Sequence, residues 1–302
     1  MKPPHIRSFS YHYREKYGQP IGKIAVDIGH TCPNRENGGC IFCRSAGFTP
    51  AYLLKTDNIA VQIAKGKKSL LKGRFKKYFT YFQQETATAM AAEQLLPICD
   101  LALRDSDCIG IIISTRPDYI EDELLSGLAA LLGSTGKECL IELGVQSAHE
   151  KSLTFLNRNH SFEDVRNAVQ RIRQYKVFET GAHLILGIPG ENEADMIATV
   201  QTVCGMGINA VKLHHLQVIR DTPLHDMYVR EEVRLFSFDE YSQLLLKILP
   251  FIPAEVTIHR LWTTSHPDIL VAPRWNILAA VLSKKLLRKM AENGIYQGDK
   301  CY

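Results

Sequence analysis

Cys32-Pro33-Asn34-Arg35-Glu36-Asn37-Gly38-Gly39-Cys40-Ile41-Phe42-Cys43 follows directly on the apolar run Gly22-Lys23-Ile24-Ala25-Val26-Asp27-Ile28-Gly29. Three thiols therefore share one loop at the carboxyl end of an expected strand. Thiolates are the usual ligands of iron–sulfur clusters and of structural zinc, and both normally take four protein ligands. No fourth cysteine lies close in sequence. Three cysteines would hold three irons of a cubane and leave the fourth open to a small chelating molecule, which implies chemistry. The alternative is a zinc site completed by a distant His or Cys, His30 for one. Gly38 and Gly39 let the loop turn sharply, and Pro33 removes one amide that would need a partner beside the metal.

Outward from this loop, five further apolar or aromatic runs alternate with helical patterns. They fall at 78–82, 108–114, 139–145, 181–186 and 210–218. Near-continuous apolar runs such as Ile109-Gly110-Ile111-Ile112-Ile113 mark strands covered on both faces, hence a parallel sheet with right-handed crossovers. Six such units predict an α/β fold, a partial (β/α)6 TIM-like barrel spanning 21–235. Residues 1–20 form an N-terminal lead-in expected on the outside of the first strand. Residues 236–302 form a C-terminal α/β extension with a short strand near 256–260 and a long amphipathic helix over 276–292. Barrel active sites form at strand carboxyl ends. The cysteine loop, Gln83, Arg116, Gln146, Ile188 and Leu216 all fall there.

The connecting segments read as helices. One starts at Asp57, with Asp57 or Asn58 as cap and Ile59, Ile63 and Leu70 on its buried face. Residues 93–103 give one or two turns around Pro97, and 121–132 a helix capped by Asp118. Ser161 to Asp164 is a capping-box pattern, with Val165, Val169 and Ile172 as the buried stripe. Between 65 and 77 stand seven cations in thirteen residues: Lys65, Lys67, Lys68, Lys72, Arg74, Lys76 and Lys77. They read as a solvated helix face and turn, with phosphate contact as the alternative.

The chain has 302 residues, a net charge of +4 and eight cysteines. That is too few cysteines for a disulfide scaffold, and a cluster loop needs reduced thiols, so a cytoplasmic location is expected. No leader pattern or apolar run of bilayer length is present, so no membrane partner is expected. The mild positive charge permits a nucleic-acid partner without demanding one.

A cysteine loop placed just after the first strand and ending in Cys-x-aromatic-Cys resembles the radical S-adenosylmethionine (SAM) enzymes. The Cys-Pro-Asn-Arg…Gly-Gly-Cys-x-Phe-Cys pattern is similar to a branch near the elongator-type and coproporphyrinogen-oxidase-type members, and the likeness runs nearly end to end. The commonest spacing in that superfamily is Cys-x3-Cys-x2-Cys, whereas seven residues separate Cys32 from Cys40. The resemblance implies that Cys32, Cys40 and Cys43 carry a [4Fe-4S] cluster whose open iron binds the amino and carboxylate groups of SAM.

It also implies SAM contacts along the strand ends. Gln83, Gln84, Glu85 and Thr86 stand where relatives carry a glycine-rich loop that bonds the methionine amino group, but the Gly-Gly-Glu signature is absent. Ser114 and Arg116, before Pro117-Asp118, match a strand end that lines the SAM site. Gln146 matches the glutamine set against the ribose, and Arg158, twelve residues on, the arginine that reaches the SAM carboxylate. Glutamine both donates and accepts, and arginine forks to two oxygens. The turn Gly187-Ile188-Pro189-Gly190 is implied to pack on adenine, with Leu216 near the adenine edge. His183 reads either as a cofactor or substrate contact or as a core histidine. Adjacent His214 and His215 face opposite sides of their strand, so one can face the cavity.

Taken together, the resemblance implies an enzyme that cleaves SAM to a 5′-deoxyadenosyl radical and depends on a low-potential electron donor of flavodoxin or ferredoxin type. The related elongator-type enzymes and the basic stretch point to a tRNA base as substrate, the wobble uridine included. The alternatives are a small-molecule or porphyrin-like substrate, or a non-catalytic Fe–S or zinc protein. No single catalytic residue and no oligomeric state follow from the sequence.

Overall fold

The computed structural model describes residues 4–44, 49–54, 56–263 and 265–301. Its strands, in chain order, are β1 (Ile21–Val26), β2 (Lys77–Phe82), β3 (Cys108–Thr115), β4 (Glu138–Gln146), β5 (Phe178–Leu186), β6 (Ala210–His215), β7 (Val218–Ile219), β8 (Thr257–Arg260) and β9 (Leu270–Ala272). One sheet has the order β1-β2-β3-β4-β5-β6-β8 with every pair parallel. The six expected strands are all present, and the extension after 236 adds the seventh. The run expected to continue to Val218 leaves the sheet at His215. Val218–Ile219 instead pairs antiparallel with β9.

The sheet curls into an open barrel. Its edge strands β1 and β8 are not backbone-paired, yet Lys23 Nζ on β1 lies 3.3 Å from His259 Nδ1 on β8. Inward residues of β1, β2, β3, β4 and β6 (Ile21, Phe79, Tyr81, Ile112, Leu140, Ala210) meet in one apolar cluster. The outward faces bury Ile111, Ile113, Ile141, Leu184 and Val211 beneath the helices. Covering on both faces explains the uninterrupted apolar runs.

The lead-in is placed differently from expectation. Its helix, Phe9–Tyr17, plugs the amino-terminal end of the barrel instead of lying outside β1. Tyr13, 1% exposed, joins the interior cluster, with its ring 4.9 Å from that of Phe79. An open barrel end would leave those apolar side chains wet, and two aromatic rings from one helix cover them.

Local signals set the other helices. Asn58 caps Ile59–Gly66 through Val61 N, while Asp57 pairs with Lys65 at 2.6 Å. The helix then passes into a π-turn, Lys67–Leu71, whose extra residue per turn rotates the face. Leu71 is buried in consequence, and the expected Leu70 is exposed. Pro97 sits inside a continuous helix, Ala92–Leu103, where one or two turns were expected. It removes one backbone bond without ending the helix. The Ser161/Asp164 capping box forms as the pattern predicts, and Val165, Val169 and Ile172 are buried.

Candidate active site

The carboxyl ends of the strands open on a cavity of about 240 Å³. Among the sequence-expected residues, Cys32, Cys40, Cys43, Gln83, Glu85, Thr86, Ser114, Arg116, Gln146, Arg158, His183 and Leu216 line it. Gln84 and Ile188 do not. Gln84 is buried, with its Oε1 accepting from Thr49 Oγ1, and Ile188 packs in an apolar cluster with Ile185, Leu216 and Leu224. Ile41 and Phe42 of the cysteine loop pack against that same cluster, so Ile188 supports the loop from behind.

The cysteine loop is tied down at two places. At the end of β2, Glu85 grips Arg35 with both oxygens (Nε to Oε2 3.0 Å, Nη2 to Oε1 2.8 Å) and accepts from Cys32 N at 3.2 Å. The hydrogen bonds and charge of Glu85 raise the Arg35 pKa further. Next to it, Thr86 Oγ1 donates to Cys32 Sγ at 3.1 Å. Side chains that follow β2 thus hold the thiol loop itself.

The second tie is the turn 156–160. Asn157 and Asn159 both have positive φ, which Asn tolerates better than most residues, and they flank Arg158. Asn157 Nδ2 donates to the carbonyls of Asn37 and Gly39, and Asn159 Nδ2 to Asn34 Oδ1. Buried Asn34 donates to Cys40 Sγ at 3.2 Å. Arg158, 7% exposed, donates to Cys40 Sγ at 3.2 Å, to Gly144 O at 2.7 Å and to His160 Nε2 at 3.1 Å. Three of the five N–H groups of a guanidinium are thereby used, leaving two for a ligand. Burial and then the Arg158 charge hold His160 down to about 4, so it accepts as a neutral ring.

Arg116 and Gln146 complete the rim. Arg116 forks onto Asp118 at 3.0 and 2.8 Å, so Asp118 orients Arg116 and does not cap the next helix. Arg116 Nη1 is buried and unpartnered among the described residues. Gln146 has φ 69, a strained backbone for a non-glycine residue. A Cβ at Gly144 would fall 2.9 Å from Arg158 Nη2 and 3.0 Å from Gln146 Nε2, so only glycine leaves these two groups side by side.

Below the rim lies a polar layer that the sequence reading missed. Glu142 of β4, 1% exposed, accepts from Lys212 Nζ at 2.5 Å, from His183 Nε2 at 3.0 Å and from His259 Nδ1 at 3.3 Å. Lys212 also donates to Tyr81 at 2.8 Å. Burial pushes the Glu142 carboxyl up, but Lys212 and the two histidines overcome it and hold it well below the usual range. Burial lowers Lys212 to about 8 and His183 to about 4. His183 is therefore both a hydrogen-bonded core residue and a cavity wall. His214 faces the cavity, its ring 5.5 Å from that of His183, and His215 stacks on Trp275 at 4.0 Å. The available signal was a lone charge inside an apolar strand run, as in Leu140-Ile141-Glu142-Leu143 and Val211-Lys212-Leu213.

The basic stretch is at the other end of the barrel. It precedes β2, whose first residue, Lys77, pairs with Ile21 at the start of β1. Lys65 pairs with Asp57, Lys67 with Asp105 and Asp107, and Lys77 with Asp107.

The donor set fits an iron–sulfur cluster. All three thiols line one cavity, and neighbouring N–H and O–H groups already point at Cys32 and Cys40. Burial pushes the Cys43 thiol up to about 12 when no metal is bound. Among the described residues no three His, Cys, Asp or Glu side chains converge on a point suited to one ion. Three thiols on one cavity wall match a cluster, in which each thiolate takes a separate iron. Among the described residues no helix is long and apolar enough to cross a membrane.

Comparison with known proteins agrees with this geometry. The chain is 35% identical over 297 residues to an uncharacterised protein of Methanocaldococcus jannaschii, covering 97% of this chain and 92% of that one. It is 31% identical to YtqA of Bacillus subtilis, covering 96% and 91%. It is 30% identical to YhcC of Escherichia coli, covering 89% and 87%. Its fold is similar to that of an N-terminally truncated Methanocaldococcus infernus Elp3, with TM-score 0.69, 20% identity, and 92% and 64% of the two chains covered. It is also similar to methylornithine synthase, with TM-score 0.56, 13% identity, and 95% and 86% covered. Residues 26–203 match the Radical SAM superfamily and residues 208–292 its Radical_SAM C-terminal domain. The cofactors of that family are a [4Fe-4S] cluster and S-adenosylmethionine, and the chain belongs to the radical SAM superfamily as one of its enzymes.

Proposed function

We propose that this chain holds its cluster through Cys32, Cys40 and Cys43, and binds SAM along the rim formed by Arg116, Gln146 and Arg158. The observation that carries this reading is the convergence of Arg158, through one guanidinium, on the Cys40 sulfur and the Gly144 strand end. Once bound, the cluster and SAM would supply one-electron reductive cleavage chemistry that generates a radical able to take hydrogen from substrate. The residues of the chain bind and orient. Two free N–H groups of Arg158 match a carboxylate, and Gln146 offers both a donor and an acceptor to a ribose. Glu85 and Thr86 fix the thiol loop, and the apolar cluster behind Ile41 and Phe42 keeps water from that side. A low-potential donor of flavodoxin or ferredoxin type supplies the electron, and the reduced thiols fit the cytoplasm.

Two substrate classes remain in view. A tRNA base, the wobble uridine included, is supported by similarity to the tRNA uridine(34) acetyltransferase of Methanocaldococcus infernus. That match is 29% identical, and this chain covers 28% of that protein. A small molecule is supported by the charged side chains that line the inside of the barrel, whereas the basic stretch that favoured RNA faces away. The interior makes the small molecule the better reading.

Anaerobically reconstituted protein, reduced in the presence of SAM, is expected to release 5′-deoxyadenosine, and Cys40→Ala to release none. A wild-type protein that binds zinc tightly and releases no nucleoside would overturn the assignment. Unchanged modified nucleosides in tRNA from cells lacking the gene would exclude the RNA substrate.

A further inference from the structure

The charges inside the barrel do not balance. Lys212 on β6 and Arg260 on β8 are register partners on adjacent strands, and both line the cavity. Like charges side by side on a sheet repel. The one carboxylate of this layer, Glu142, is already engaged by Lys212, His183 and His259. The Arg260 side chain makes no hydrogen bond or ion pair among the described residues. A guanidinium keeps its charge in a protein, so Arg260 cannot escape the repulsion by losing a proton. Two residues above Lys212 on the same face, His214 Nε2 is buried with no hydrogen-bond partner. Leaving such a group unpaired costs free energy. A cation without a counter-ion and a polar nitrogen without a partner thus border the same space.

We infer that Arg260, Lys212 and His214 form an oxyanion subsite, and that the substrate is a small molecule carrying a carboxylate or phosphate group. The inference rests on the radical SAM reading and gives its substrate a chemistry. An oxyanion here would take the fork of Arg260 on two oxygens, separate the two cations and satisfy His214. It would anchor the far end of the substrate deep in the barrel, leaving the other end at the rim, where hydrogen is abstracted. On that reading the methionine carboxylate of SAM would lie beside Arg158 near the thiols and would not fill this place. Burial, and then the Arg260 charge, drive the His214 pKa well down, which favours a neutral ring that donates one N–H.

The test is calorimetric titration of inorganic phosphate and, separately, malonate into reconstituted protein saturated with SAM. At least one is expected to bind once per chain. Arg260→Gln should weaken that binding about tenfold or more, and Arg260→Lys, which keeps the charge but loses the fork, by a measurably smaller factor. His214→Phe should weaken it several-fold. Circular dichroism and cluster absorbance check that each variant is folded and loaded. Preference for malonate would identify a carboxylate substrate, and preference for phosphate a phosphorylated one. If neither anion binds, or tRNA binds and they do not, or Arg260→Gln binds them as wild type does, the inference is wrong. Nucleoside release from SAM by the unmutated protein is measured in the same preparation. Its absence would refute the radical SAM reading even with an Arg260-dependent anion site, and its presence with Arg260-independent binding would refute only this inference.

Discussion

Arg158 Nη1 donates to Cys40 Sγ at 3.2 Å, so the arginine proposed to meet the SAM carboxylate also touches a proposed cluster ligand. Hydrogen bonds and positive charge at ligand sulfurs raise a cluster's reduction potential. Replacing Arg158 by Gln removes the charge and should lower the potential by about 60 mV, equivalent to about 1.4 kcal/mol for one electron. Redox titration followed by electron paramagnetic resonance measures the shift, and an unchanged potential would separate Arg158 from the cluster.

Glu85 is the clamp on the thiol loop, holding Arg35 and Cys32 N together. Glu85→Ala leaves the Arg35 charge without its partner and frees the first cysteine. Iron content after reconstitution should fall to about half or less, and chelators should strip the cluster faster, because ligands lose their preorganisation. Glu85→Gln, which keeps one acceptor oxygen, should lie between Ala and wild type.

Gly144 separates ligand binding from stability. An alanine methyl there crowds the tips of the Arg158 and Gln146 side chains, and otherwise meets the Thr115 carbonyl at an ordinary 3.5 Å. Gly144→Ala should change the unfolding midpoint little while weakening SAM binding about tenfold, because both rim groups are displaced. Equilibrium binding of SAM to reconstituted protein, set beside a urea melt, reads the two effects independently.

Much of this arrangement was legible in the sequence. The apolar strands and the cysteine loop are local signals, and each appears where expected, while Gln146 and Arg158, singled out by the family resemblance, both line the cavity. Lys23, Glu142, Lys212 and Arg260 were not read as a group, because each stands alone in its own strand and only curling of the sheet brings them together. The plug formed by Tyr13 was missed for the same reason. A short helix carries no sign of which end of a barrel it will cover. Leu70 was misassigned to the core because a π-turn shifts the helical phase, which periodicity of 3.6 cannot show.

The buried histidines predict acid sensitivity. Burial lowers His183 to about 4 and His215 and His259 to about 3, all from the ordinary 6.5. Between about pH 4 and 6.5 the unfolded chain therefore binds more protons than the folded one, and stability falls as pH falls through that window. The depressed Glu142 carboxyl acts in the same direction at still lower pH. These three rings alone take up two to three protons on unfolding near pH 5, a slope of about 3–4 kcal/mol per pH unit. Urea melts of the cluster-free protein at pH 7, 6 and 5 check it, and a flat profile would mean that these rings are charged in the fold.

On the proposed reading, three cysteines leave one iron of four without a protein ligand. Mössbauer spectroscopy of protein reconstituted with iron-57, before and after SAM, tests it most directly. The account predicts that about a quarter of the iron signal shifts on SAM addition, and that Cys40→Ala abolishes the cluster. Four equivalent irons that ignore SAM, or no cluster in the unmutated protein, would contradict it.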